Sequence, residues 1–176
     1  MKFQPLALTG AYLIEPEAHA DERGFFARTF CENEFLGKGL ISRFPQSSVS
    51  FNARRGTVRG MHFSARPYAE TKLVRCTAGV IYDVIVDLRK ESKTYLQTLA
   101  VELTAHNRYA LYIPAGFAHG FQVLEDTTEV LYMIDTPFIF GAARGIRWDD
   151  RALDIAWPEP VTIIADRDLQ FPDWSP

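Results

Sequence analysis

The sequence is short of the features that most often announce a function. It has two cysteines, Cys31 and Cys76, and no CxxC pair, which excludes a disulfide framework and a thiolate metal cluster. They read as reduced, buried thiols. No stretch approaches the roughly 20 apolar residues that a membrane helix needs. The opening run, MKFQPLALTGAYLIEPEAHADERG, reaches its acids before any uninterrupted apolar signal core forms, so cytoplasm is the expected location. The net charge is −3, which lacks the basic excess of a nucleic-acid binder but still allows a small anionic ligand gripped by a few arginines. No GxGxxG or Walker loop is present to cradle a dinucleotide or a nucleoside triphosphate. There are only four histidines.

What is there is strand. The 176 residues fit one domain, residues 1–176, with 47% hydrophobic and 23% charged content sufficient for a sizeable core. Short extended runs recur at 12–16, 25–30, 72–89 (broken near Gly79), 96–104, 108–116, 120–125 and 128–134. Turn residues separate them, at Ala78-Gly79, His106-Asn107, Pro114-Ala115-Gly116 and Glu125-Asp126. Many short strands at near-regular spacing predict an all-β fold, a closed or sandwiched antiparallel sheet. One helix is expected over 31–40, ending at its glycines, and a short helical turn after Asp166. From about 148 to 176 the prolines (Pro158, Pro160, Pro172, Pro176) forbid a regular central strand, so this segment is expected to wrap the barrel.

The chemistry narrows to a few side chains. His19 and His106 sit in polar, turn-like surroundings and read as surface. His62 and His119 fall near strand ends, where a barrel mouth holds ligands. Pro114, Gly116 and His119 form PxGxxH, which resembles the second half of a cupin signature. A metal-binding cupin would also offer HxH, but the run here is His62-Phe63-Ser64, one ligand short of the usual three or more. No metal is expected. A histidine outside a metal site, with an ordinary pKa of about 6.5, is a natural general base. Tyr132, on the strand after His119, could donate a proton from the other side. Lys72 could stabilise an oxyanion, and Asp168 could hold the imidazole. Spacing alone leaves these open to blander roles, since core tyrosines and surface lysines are common.

Eight runs in order carry more. DERGFF (21–26), RRGTVRGMHF (54–63), AETKLVRC (69–76), GVIYDVIVDLRKESKTY (79–95), YIPAGFAHGF (112–121), EVLY (129–132), RGIRWDD (144–150) and ADRD (165–168) resemble the dTDP-4-dehydrorhamnose 3,5-epimerase family across about residues 5–170. The resemblance implies a cupin-type antiparallel β-barrel, or jelly roll, with a few short helices. It implies a homodimer and a nucleotide-diphosphate 4-keto-6-deoxy sugar as substrate, inverted at C3, C5 or both without metal or other cofactor. It implies His62 as base paired with Asp168, Tyr132 as the opposed acid, and Lys72 on the C4 ketone. Arg23 and Arg59 would grip the diphosphate. Gln46, Ser47 and Ser48 would line the nucleotide or sugar, and His119 would lie against the substrate.

The sequence also departs from the family's pattern. Ser64 replaces a common Gln, Ser48 a common Asn, Arg28 an acid, Phe138 a tyrosine and Ala143 an acid, while Arg167 stands where lysine is frequent. These changes fall in the shell that recognises base and sugar. Two alternatives stay open from the residues: a single-carbon epimerase or 3,4-ketoisomerase for another nucleotide sugar, and a non-catalytic sugar-binding cupin.

Overall fold

Runs of β-branched and aromatic residues, punctuated by tight turns, build nearly all of the regular structure. The computed structural model describes residues 1–175. In chain order the elements are β1 (Lys2–Pro5), β2 (Tyr12–Glu15), β3 (Ala18–Asp21), β4 (Gly24–Ala27), α1 (Glu32–Leu36), β5 (Gln46–Asn52), β6 (Thr57–Ser64) and β7 (Lys72–Ala78). There follow β8 (Val80–Asp87), β9 (Thr98–Thr104), β10 (Ala110–Ile113), β11 (Phe117–Val123), β12 (Thr128–Ile134), β13 (Ala143–Gly145), β14 (Ile163–Ile164) and α2 (Asp166–Leu169). The expected break at Gly79 is there. Its φ is +73°, and a Cβ would stand 2.1 Å from Thr128 Oγ1, so glycine suits both the turn and the close approach.

Two sheets face each other. One runs β1-β2-β10-β7-β12-β5, the other β13-β6-β11-β8-β9, with β14 added in parallel beside β6. They form a jelly roll of two separate hydrogen-bonded ladders, not one closed ring. Between them lies the main core, with Val74, Cys76, Ile81, Ile85, Leu111, Phe117, Phe121 and Val130 buried. β3 and β4 make a hairpin that pairs only with itself.

Each sheet is also covered outside. Phe35 of α1 is fully buried among Phe3, Phe30, Phe44 and Tyr112. The helix is shorter than expected, five residues, because Gly37 and the left-handed Gly39 (φ +70°) end it. On the other side the C-terminal segment crosses the back of β6, β11 and β8. There Leu153, Trp157 and Trp174 pack with Met61, Val84, Val86 and Ala118. Among the described residues no helix is long and apolar enough to cross a membrane.

A bulge sets the centre of the second sheet. The β6–β11 register shifts between His119 and Phe121. At Gly60, φ is +119° and a Cβ would lie 2.6 Å from Gly120 Cα. The strands approach too closely there for any side chain. Beyond the bulge, His62 and His119 face each other as direct cross-strand partners.

Candidate active site

His62 is held from the C-terminal segment. Its Nε2 donates to Asp168 Oδ1 at 2.8 Å, and the Gly60 N–H donates to Asp168 Oδ2 at 3.1 Å. Asp168 is buried on α2, whereas the His62 side chain is 40% exposed. Burial opposes charge on Asp168, but the His62 hydrogen bond and charge, with the Gly60 N–H, outweigh it. The carboxyl is held below its ordinary range. Phe171 packs edge-on to the imidazole, 5.7 Å between centroids. With Nε2 committed, Nδ1 is left as the basic nitrogen.

The facing sheet supplies the other groups. Tyr132 on β12 pairs with Val74 on β7 and Ser48 on β5, and Ile134 pairs with Lys72. Alternation therefore puts Tyr132, Ile134, Lys72, Ser48 and Gln46 on the inner face. Burial, then the charge of Asp83, pushes the Tyr132 phenol far above its ordinary value, with Arg59 pulling it back. Lys72 is 7% exposed, and its Nζ lies 3.1 Å from Glu70 Oε1.

A second histidine–aspartate pair lies deeper. His119 Nε2 donates to Asp83 Oδ1 at 2.6 Å, both residues buried. The His119 ring stands edge-on to Tyr132, 5.9 Å between centroids. His62 and His119 are thus each engaged by one aspartate. Among the described residues no three His, Cys, Asp or Glu side chains converge as a metal ion would require.

A cavity of about 240 Å³ opens over His62 and Lys72. Ser64, Ala143, Phe138 and Arg167 also line it, so four of the positions that depart from the family pattern meet at its wall. Arg59 extends from β6, where its Nε donates to Asn52 Oδ1 at 2.6 Å, within electrostatic reach of Tyr132. Ser47 faces the side of β5 opposite to Gln46 and Ser48, because side chains alternate along a strand. Arg23 and Arg28 are not brought to this cavity. Arg23 is exposed at the tip of the β3–β4 hairpin and paired with Asp21, and Arg28 pairs with Glu34 at 3.2 Å.

His62 on one sheet and Tyr132 on the facing sheet thus stand on opposite sides of the space between them. The family model of dTDP-4-dehydrorhamnose 3,5-epimerase matches residues 5–175. The chain belongs to the dTDP-4-dehydrorhamnose 3,5-epimerase family. It is 40% identical to the dTDP-4-dehydrorhamnose 3,5-epimerase of Sinorhizobium fredii, over 98% of this chain and 89% of that one. The Bacillus anthracis enzyme, solved with TDP and PPi bound, superposes with a TM-score of 0.95 at 40% identity, covering 98% of this chain and 99% of that one. The Legionella pneumophila enzyme, in complex with dTDP-4-keto-L-rhamnose, gives a TM-score of 0.91 at 31% identity, covering 98% and 92%. The protein is an epimerase of a nucleotide-linked 4-keto-6-deoxy sugar.

Three neighbours of these side chains are not apparent from the sequence pattern alone. Glu70 meets Lys72, Phe171 packs on His62, and Asp83 holds His119. Only Asp83 had a signal, an acid inside the apolar run VIYDVIVDL.

Proposed function

We propose that the epimerase inverts both carbons flanking the C4 ketone of a dTDP-4-keto-6-deoxy sugar by proton removal on one face and return on the other. The observation that carries this is the placement of His62 and Lys72 at one cavity, with Tyr132 on the inner face of the sheet opposite His62. Neutral His62 takes the C–H proton through Nδ1. The electron pair moves to the C4 oxygen, where the Lys72 ammonium stabilises the enolate. Tyr132 then gives its phenolic proton to the same carbon from the opposite side. The second carbon beside the ketone follows by the same route. Each acid–base partner contributes about 10²–10⁴ in rate.

Arg59 and Arg167 would meet the diphosphate, and Gln46, Ser48, Phe138 and Ala143 would border the nucleoside. The B. anthracis relative's TDP and the L. pneumophila relative's keto sugar support this class of ligand. We further propose a homodimer. Val49 and Phe51, on the outer face of edge strand β5, are 56% and 58% exposed, and Phe26 on the self-paired hairpin is 76% exposed. In that assembly the hairpin carries Arg23 and Arg28 toward the partner's cavity, which reconciles their expected role with their distance from their own. A nucleotide-sugar substrate and two free thiols fit the cytoplasm.

The experiment is incubation with dTDP-4-keto-6-deoxyglucose in D₂O. Deuterium is expected at C3 and C5 of an inverted product. Label at one carbon alone would refute double inversion, and label at neither would refute this substrate.

A further inference from the structure

The molecule has a cavity that the epimerase reaction does not use. It measures about 380 Å³, within the range of small-molecule sites, against about 240 Å³ for the cavity over His62. The two flank the connection between β6 and β7, residues 65–71. Tyr68 and Glu70 of that connection line the epimerase cavity, whereas Arg66 and Ala69 line the other. Ser64 alone borders both.

The walls of this cavity carry three kinds of chemistry. Phe63, Leu88 and Trp174 form an apolar side. Trp174 is held in place, its ring edge-on to Phe63 at 6.0 Å between centroids and its Nε1 donating to the Tyr95 hydroxyl at 3.2 Å. A fixed indole offers a ligand ring a broad apolar surface. Arg66 and Lys90 bring positive charge, and among the described residues neither enters an ion pair. Arg89 differs, because both Asp87 oxygens hold its guanidinium, at 2.8 and 2.7 Å. Glu91 is the acid at the wall, an acceptor without a donor among the described residues. Beyond Arg66 a more open hollow of about 550 Å³ adds Lys93, so the region is net positive.

We propose that this cavity is a second site, which binds a nucleoside diphosphate. Inorganic phosphate would leave the apolar side uncovered. A purely apolar ligand would take water from two cations without giving them a counter-charge. A nucleoside diphosphate meets each wall with a matching group. Its base lies against Trp174, its phosphates reach Arg66 and Lys90, and a sugar hydroxyl donates to Glu91. The site stands apart from His62, Lys72 and Tyr132, so it does not depend on the course of the inversion.

Equilibrium dialysis against dTDP, up to millimolar concentration, counts the nucleotide bound per chain. The wild type is expected to bind two equivalents. Arg66→Glu combined with Lys90→Glu should bind one fewer, with kcat and KM for the 4-keto sugar unchanged. Thymidine alone and inorganic pyrophosphate alone should each hold the second site at least about tenfold more weakly than dTDP, since each lacks one set of contacts. An equal count in wild type and double variant overturns the second site. A variant that loses the equivalent and also raises KM makes the cavity an extension of the epimerase site, which overturns it too. Pyrophosphate bound as tightly as dTDP reduces the site to an adventitious ion only and overturns the nucleotide. Arg66→Gln, a milder change at an exposed side chain, decides the matter if the double variant does not fold, by weakening the second equivalent about tenfold or leaving it as it was. The count is read apart from labelling in D₂O, so neither result decides the other.

Discussion

Asp168 grips His62 with one carboxylate oxygen and the backbone of His62's own strand with the other, at 2.8 and 3.1 Å. The two residues are 106 positions apart in the chain. The C-terminal segment thus does more than cover the back of a sheet. It fixes the tautomer of the imidazole and the side from which Nδ1 can work. Asp168→Asn is therefore expected to lower kcat by on the order of 10²–10⁴ with little change in KM, as loss of an orienting partner does. A large rise in KM with kcat intact would instead make Asp168 a binding residue. Steady-state kinetics beside a thermal melt of both proteins distinguishes these outcomes.

Tyr132 makes a prediction in alkali. Burial and the Asp83 charge hold its phenol far above the ordinary tyrosine value of about 10. The proton-donating form therefore persists where exposed tyrosines ionise. The difference in tyrosinate absorbance between wild type and Tyr132→Phe should stay flat as pH rises through 10, while the protein is folded. A step near 10 would show a phenol open to water. The same variant should lose inversion by about 10²–10⁴, since phenylalanine fills the space without a proton to give.

These assignments also show what the sequence made legible. The β7–β8 pair was plain, because Gly79 interrupts a long run rich in β-branched and aromatic residues, and so was the turn at Asp166 that became α2. β5 was not, because its inward residues, Gln46, Ser48, Ser50 and Asn52, are polar while Val49 and Phe51 point out. Its alternation is inverted relative to an ordinary core strand, which is what lining a polar cavity demands. His62, Tyr132, Lys72 and Asp168 stand out by residue type and placement and take definite roles only through the family resemblance; they come from β6, β12, β7 and α2. Asp83 showed only as an acid inside an apolar strand, with no sign of its partner. In an apolar strand its neighbours read as core, and only its contact with His119 shows why an acid is buried there.

Asp87 governs acid stability. It is buried at the end of β8 and accepts from Arg89, Ser92 and Thr94. Burial opposes its charge, but those donors prevail and lower its pKa to about 2. The folded value lies below the unfolded one of about 3.9, so the stabilisation is complete above that value and is lost as pH falls toward 2. Denaturation midpoints measured from about pH 5 down to 2 should fall steeply in the wild type. Asp87→Asn should be less stable at neutral pH and flatter across that window. A parallel pair of curves would place the acid sensitivity elsewhere, with Asp168, whose carboxyl is shifted in the same direction, the next candidate.

The proposed dimer has a direct test at Phe51. This side chain stands on the outer face of an edge strand, 58% exposed, opposite Glu129 on β12. Edge strands with outward aromatics invite pairing unless something covers them. Phe51→Asp removes no core contact and adds a charge that a self-complementary apolar interface would have to bury. The wild type should run as a dimer by light scattering and the variant as a monomer with an unchanged melting profile. Because Arg23 and Arg28 are proposed to act across that interface, the monomer should also bind dTDP more weakly while His62 and Asp168 remain in place. A monomeric wild type, or a monomeric variant with full nucleotide affinity, would return both arginines to the surface of their own chain.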